Sequence, residues 1–276
     1  MLKIGFIDYY LDEWHANNYP EFFKNAAGDD VKVCYAYGEI DAPGKMTNKE
    51  WAEKYGVELL DSIEEVVEKS DCLVVLAPDN PETHVHLTKL PLMSKKPVYV
   101  DKTFANSKEE ALAIFKVAEE SGTPCYSSSA LYFSDEIAEV DTADIARIDS
   151  IGGGIPDNYS IHQIEQIIKL MGTDFKRVMC FDDSEYPMFA IEFSDGRIAH
   201  LSHFWGAGFG MTVGYKSGAN KKFDVTSDFF ANCIKSMTEF FKTGVIPVSH
   251  EQTVAVIYLR ELCIKAAKTP LKWIEA

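Results

Sequence analysis

The stretch Cys72-Leu73-Val74-Val75-Leu76-Ala77 is apolar at every position. A strand with one wet face alternates apolar and polar side chains. An unbroken apolar run therefore predicts a strand covered on both faces, as in a parallel sheet flanked by helices. The rest of the first half repeats the theme. Residues 2–7 and 31–36 are two further strand-like runs, and Pro97-Val98-Tyr99-Val100 and Pro124-Cys125-Tyr126-Ser127 are two more. Helix-start signals lie between them. Asn48 precedes a helix expected over 49–55, with Gly56 as its stop. Ser62-Ile63-Glu64-Glu65 and Ser107-Lys108-Glu109-Glu110 are capping boxes, and the second opens an apolar stripe that ends at Gly122. Repeated β-α units with short connections imply right-handed crossovers and a doubly wound parallel sheet.

The pattern changes after about residue 140. Residues 143–151 alternate like a strand, and Gly152-Gly153-Gly154 breaks it. A helix is expected over 160–171, with Ile161, Ile164, Ile167, Ile168 and Met171 on one side. Residues 177–181, 187–193 and 197–204 read as antiparallel strands, with Ser194-Asp195-Gly196-Arg197 as a hairpin turn. Residues 211–215 and 222–225 add two more. Two helices follow, and the last, over 251–267, starts behind Ser249-His250-Glu251-Gln252. The reading is a first domain over 1–125 and a second, α+β in class with an open and mostly antiparallel sheet, over 126–276. The last helices are expected to pack back on the first domain.

With 27 Lys and Arg against 43 Asp and Glu, the formal charge is −16. Such a surface repels nucleic acid and anionic membranes, and no apolar run reaches the roughly 18 residues of a membrane span. The six cysteines are widely spaced without a C-x-x-C pair. Together with an N-terminus unlike a secretory signal, they read as reduced thiols of a cytoplasmic protein, with no metal site.

Three segments carry candidate chemistry. The turn after the first strand runs Asp8-Tyr9-Tyr10-Leu11-Asp12-Glu13-Trp14-His15, with no glycine between Gly5 and Gly28. A dinucleotide-binding turn uses glycine to bring the backbone close to a pyrophosphate at a helix N-terminus. Carboxylates there oppose it, since two unit charges about 5 Å apart cost roughly 1–3 kcal/mol at effective dielectrics of 80 to 20. The plain alternative is an ordinary strand-to-helix turn with Asp12 as N-cap. In the second segment, Ala77-Pro78-Asp79-Asn80-Pro81-Glu82-Thr83-His84 offers Asn80 as a cap, Pro81 at the first helical position and His84 one turn in. Beyond it, Asp101-Lys102-Thr103 puts a lysine at the end of a strand, where open parallel sheets bind ligands. In the third, His162 and Glu165 share a helical face behind the glycine run, so His162 is an acid–base candidate. His200 and His203 fall on opposite faces of a strand.

Taken in order, these segments resemble the Gfo/Idh/MocA family of glucose–fructose oxidoreductase and inositol dehydrogenase, over most of the chain. Ala77-Pro78-Asp79-Asn80 through His84 is similar to the family's TPN…H turn, and Asp101-Lys102-Thr103 stands at its Glu-Lys-Pro. Asn158-Tyr159-Ser160-Ile161-His162 with Glu165 stands at its Asp-x-Gly-x-His-x-x-Asp. The resemblance implies a Rossmann-like N-terminal domain for NAD or NADP and a C-terminal domain for a sugar or polyol. It implies Lys102 and His162 as catalytic residues, with Asn158, or Asp157 in a shifted register, in the place of the motif aspartate. It places the cofactor against Asp8, Tyr9, Glu39, Pro78, Asn80, His84 and Asp101, with Glu39 on a ribose hydroxyl. The open sheet is also expected to serve as the interface of a homo-oligomer. The chain departs from the pattern in lacking the glycine fingerprint, in Thr103 for proline, and in Tyr132 where relatives often carry arginine. Two readings follow. One is an NAD(P)-dependent oxidoreductase on a sugar or polyol derivative. The other is a non-catalytic relative, a ligand-binding or assembly subunit, that has lost the dinucleotide.

Overall fold

A computed structural model of the chain describes residues 1–154, 156–182 and 184–276, apart from the side chain of Asp157. The chain divides into two compact units. Unit 1 comprises Met1–Ser128 and Phe230–His250, and unit 2 comprises Ser129–Phe229 and Glu251–Ala276.

Unit 1 alternates strand and helix: β1 (Leu2–Asp8), α1 (Trp14–Ala27), β2 (Val31–Gly38), α2 (Asn48–Tyr55), β3 (Glu58–Leu59), α3 (Ile63–Lys69), β4 (Cys72–Val75), α4 (His84–Leu87), β5 (Val98–Val100), α5 (Lys108–Ser121) and β6 (Cys125–Tyr126). Among the described residues the strands form one six-stranded sheet in the order β3-β2-β1-β4-β5-β6, every pairing parallel. All four residues of β4 are fully buried, as an apolar run without alternation requires. The strand order reverses between β1 and β4, and a sheet of this kind opens its ligand crevice beside the tips of those strands.

Ser62 and Ser107 cap α3 and α5 as expected, accepting from the backbone N–H three residues on. Two other caps differ from expectation. α2 is capped by Thr47 in a reciprocal box with Glu50, which releases Asn48 for another task. The Asn48 amide accepts from Leu11 N at 3.0 Å and donates to the carbonyls of Gly38 and Ile40 at 3.0 and 2.8 Å, so it ties the turn after β1 to the turn after β2. α1 is capped by Glu13, not Asp12. The Asp12 carboxylate instead accepts from Asn17 and from Met46 N, both at 2.9 Å.

Unit 2 contains α6 (Asp135–Ala138), β7 (Ile145–Gly152), α7 (Pro156–Met171), β8 (Phe175–Cys180), β9 (Met188–Phe193), β10 (Ile198–His203), β11 (Gly210–Tyr215) and β12 (Asn220–Asp224). Then come α8 (Phe229–Thr243), which from Phe230 onward clusters with unit 1, α9 (His250–Ala267) and a last strand β13 (Trp273–Glu275) that the sequence reading did not foresee. Among the described residues the sheet has seven strands in the order β12-β11-β7-β10-β9-β8-β13. Its pairings are antiparallel except for β7 with β10. α7 begins at Pro156, four residues before the expected start, because proline suits a first helical turn that has no use for its N–H. Its isoleucines are buried, and Gln163 donates to Ser150 Oγ and Ser202 O on the sheet. Ile151, Met188 and Phe181 remain exposed.

Within unit 1, α8 carries an aromatic seam. Phe230 meets the rings of Trp14 and Phe22 at 5.0 and 5.5 Å, Phe240 meets Tyr126 at 4.8 Å and Phe241 meets Phe23 at 6.2 Å. Aromatic pairs at these separations add attraction beyond their buried area. No helix among the described residues is long and apolar enough to cross a membrane.

Candidate functional site

The tips of β1, β4 and β5 in unit 1 hold a buried polar cluster. Asp8 ends β1 and is 1 % exposed. Its Oδ1 accepts from Tyr9 N at 2.7 Å and from Ala77 N at 3.0 Å. Ala77 has φ of 64°, a left-handed conformation that costs a non-glycine residue roughly 1–2 kcal/mol. The bond from Asp8 therefore holds an unfavourable backbone in place just beyond β4. The other oxygen, Oδ2, is buried without a hydrogen-bond partner among the described residues.

Glu13 folds its carboxylate back over the start of α1, accepting from His15 N at 2.7 Å and from Ala16 N. The His15 Nδ1 pairs with Asp101 Oδ2, and its ring stacks on Tyr19. Asp101, one residue past β5, also accepts from Lys102 N at 2.8 Å. Tyr99 donates to Ser128 O at 2.8 Å and lies 3.3 Å from Asp101 Oδ1.

Three carboxylates in one buried space cannot all keep a full charge. Burial pushes Asp8 well above the usual carboxylate range, and Glu13 adds to the rise against the two N–H groups on Asp8. Burial likewise lifts Glu13 to about 7, with Asp101 adding to it, against His15 and its own backbone donors. Asp101 moves the other way. Burial would raise it, but the charge and hydrogen bond of His15 outweigh that and hold it below the usual value. The cluster keeps its negative charge on Asp101, which faces His15, while burial favours the protonated form of Asp8 and Glu13.

The other residues proposed for a cofactor lie as follows. Tyr9 is half-buried and packs against Tyr10. Glu39, just past β2, is 2.5 Å from His86 Nε2. Pro78 is buried. Asn80 makes no cap and donates instead to Glu82 at 3.0 Å. His84 is fully buried, its ring nitrogens 2.5 and 3.0 Å from the carbonyl oxygens of Leu76 and Phe104. Burial lowers its pKa, as expected for an imidazole that bridges the segments after β4 and β5.

A nicotinamide dinucleotide does not fit the first turn as it is folded. The α1 N–H groups that would meet a pyrophosphate already face Glu13, and the buried Asp8 carboxyl acts electrostatically on Glu13. Lys102 is half-buried beyond the tip of β5, and its ammonium has no hydrogen bond or ion pair among the described residues. The peptide joining it to Thr103 is cis.

Unit 2 holds a second cluster on α7. Ser129 Oγ lies 2.6 Å from His162 Nδ1 and also accepts from Leu131 N at 3.2 Å. The Ser129 N–H donates to Glu165 Oε2 at 2.7 Å. Burial raises Glu165 to about 8, against Ser129 N–H and Lys169 one turn on. Lys169 is lowered by burial, against Glu165, and donates to Tyr132 O at 2.6 Å. Ser129 thus engages the Nδ1 of His162 and fixes the orientation of its ring. The expected role of Asn158 lies on the same helix, where it is half-buried. The expected role of Asp157 falls on a side chain outside the described residues. Gly152-Gly153-Gly154 is a close-packed segment: a Cβ on Gly153 would stand 2.3 Å from Ala207 O, and Gly154 has φ of 83° under the Tyr159 ring.

The sequence reading missed Glu13 as cap, His15, Ser129 and Lys169. The i, i+4 spacing of Glu165 and Lys169 was a readable signal. Nothing local signals that Ser129 meets α7, because the two are 33 residues apart. Among the described residues no group of His, Cys, Asp and Glu is placed to hold a metal ion.

Residues 15–129 match the Gfo/Idh/MocA oxidoreductase family, described by its NAD-binding Rossmann fold. The match begins just beyond the turn at which this chain departs from a glycine fingerprint. No curated protein matches the chain. Solved structures share the fold of both units. A myo-inositol dehydrogenase from Corynebacterium glutamicum superposes with a TM-score of 0.80 at 13 % identity, covering 99 % of this chain and 98 % of the other. A scyllo-inositol dehydrogenase from Lactobacillus casei gives 0.79 at 13 %, with 99 % and 98 % covered. GenD2 of gentamicin A biosynthesis, solved in complex with NAD, gives 0.80 at 14 %, with 100 % and 96 % covered.

Proposed function

We propose that this chain, whose residues 15–129 belong to the Gfo/Idh/MocA family of NAD-binding oxidoreductases, is an oxidoreductase acting on a sugar or polyol derivative. The observation that carries the reading is Lys102 in that matched segment. It is a cation beyond a parallel strand tip, with no intramolecular partner among the described residues, beside the buried His15–Asp101 pair. An ammonium there donates to a substrate oxygen and stabilises negative charge as a hydroxyl proton leaves. Within unit 2, His162 is a separate acid–base candidate, its ring oriented by Ser129. The inositol dehydrogenases among the structural neighbours motivate the polyhydroxylated substrate class. The exposed Ile151, Met188 and Phe181 of the unit 2 sheet offer a face for a second copy of the chain.

The test is a panel of polyols, sugars and sugar nucleotides assayed with NAD and with NADP, followed by the same assay on Lys102→Ala. The expected result is turnover with a polyhydroxylated substrate that falls roughly 10²–10⁴-fold in the variant. Turnover unchanged in Lys102→Ala removes that residue from the chemistry. No turnover and no dinucleotide binding at millimolar concentration removes the redox reading. A second reading, a relative that binds a ligand without a dinucleotide, is favoured by one observation: the Glu13 carboxylate on the first turn of α1.

A further inference from the structure

We infer that Glu13 is an internal competitor of the dinucleotide: its carboxylate stands on α1 where a pyrophosphate would bind, and the two cannot share that helix end. The inference rests on the oxidoreductase reading only for the identity of the ligand being opposed.

A helix leaves its first N–H groups without intrahelical partners, and these groups with the helix dipole form the anion site of dinucleotide folds. In α1 that site is filled from within the chain. Glu13 Oε2 accepts from His15 N at 2.7 Å, Oε1 accepts from Ala16 N, and the Glu13 carbonyl takes Asn17 N at 2.9 Å. Glu13 is 4 % exposed, so its side chain is packed in this position.

A second observation is independent of the helix end. The Asp8 carboxyl faces the same space from β1, 1 % exposed, with Oδ2 lacking any hydrogen-bond partner among the described residues. The charged and titratable groups around Glu13 are thus Asp8 from β1, His15 from α1 and Asp101 from the end of β5, with Lys102, next in the chain, acting on Asp101. The one close cation candidate, His15, is already paired with Asp101. A pyrophosphate arriving here must displace the Glu13 carboxylate and lie beside the buried Asp8 and Asp101 carboxyl groups, with Lys102 as the one unpaired cation among these groups.

The test titrates NADH and NADPH into the full-length protein, Glu13→Ser and Glu13→Gln, by calorimetry. Serine is a good N-cap, so Glu13→Ser should remain folded, which a thermal melt checks. Glu13→Gln removes the charge and keeps one of the two acceptor oxygens. The inference expects Glu13→Ser to bind at least about ten-fold more tightly than the parent, from the scale of close charge repulsion, with Glu13→Gln in between. It also expects inorganic pyrophosphate to compete in Glu13→Ser. Weak parent binding that tightens in Glu13→Ser supports both the competitor and the oxidoreductase. No parent binding with clear binding by Glu13→Ser supports the competitor and overturns the oxidoreductase. Equal affinity in parent and Glu13→Ser overturns the competitor and leaves the oxidoreductase standing. Binding by neither overturns both.

Discussion

Ser129 Oγ lies 2.6 Å from His162 Nδ1, and the backbone N–H of the same serine holds Glu165 at 2.7 Å. One residue thus orients the candidate acid–base imidazole and anchors the buried acid one turn further along the same helix. Replacing Ser129 with alanine removes the partner of Nδ1 and keeps the backbone bond to Glu165. We expect Ser129→Ala to lower kcat about ten-fold with little change in KM, and to move the pH profile of kcat. Ser129→Thr, which restores a hydroxyl, should recover most of the loss. An unchanged pH profile in Ser129→Ala would show that the serine has only a packing role.

Stability should fall as pH rises. Glu165 titrates near 8 in the folded chain because it is buried, and near the ordinary carboxylate value when unfolded. The folded state therefore holds the proton more tightly. Its advantage is complete below the unfolded pKa and is lost as pH climbs through the folded one. Glu13, lifted to about 7 by burial, acts in the same direction. Urea unfolding at about pH 5.5 and about pH 8.5 should show lower stability at the higher value. Glu165→Gln, which keeps an acceptor for Ser129 N–H, should flatten the difference.

Asp8 separates two effects by choice of substitution. Asp8→Asn keeps an oxygen for the N–H groups of Tyr9 and Ala77 and should change stability little, because burial already favours the uncharged acid. Asp8→Ala leaves both donors without that acceptor, one of them on the left-handed Ala77, and should cost about 1–3 kcal/mol in denaturant unfolding.

Gly153→Ala tests the close packing of the glycine segment. An added Cβ would meet Ala207 O at 2.3 Å, and a backbone carbonyl cannot rotate away as a side chain can. The expected loss is about 1–3 kcal/mol of unfolding free energy, as for other overpacked sites. A variant as stable as the parent would mean that the loop over Gly153 gives way easily.

The repeated units of unit 1 were legible because their signals are local. The apolar run of β4, the serine caps of α3 and α5 and the glycine stop of α5 each lie within a few residues of what they control. The misread caps show the limit of local reasoning. Asp12 and Asn48 are both good capping types, yet each serves a longer contact: Asp12 accepts from Met46 N, and Asn48 holds Leu11 and Gly38. Residue type was readable at these positions, but the partner was not.

The amino-acid order alone determined where strands and helices form, and that a lysine follows β5 and a histidine sits on α7, because hydrophobic period and capping act over one or two turns. Tertiary structure decided which groups became chemically unusual. Asp8, Glu13 and Asp101 lie on separate elements, and only the parallel order of β1, β4 and β5 gathers them into one dry space. There, desolvation and mutual repulsion set which carboxylate keeps its charge, and both depend on distances through space that no stretch of sequence encodes.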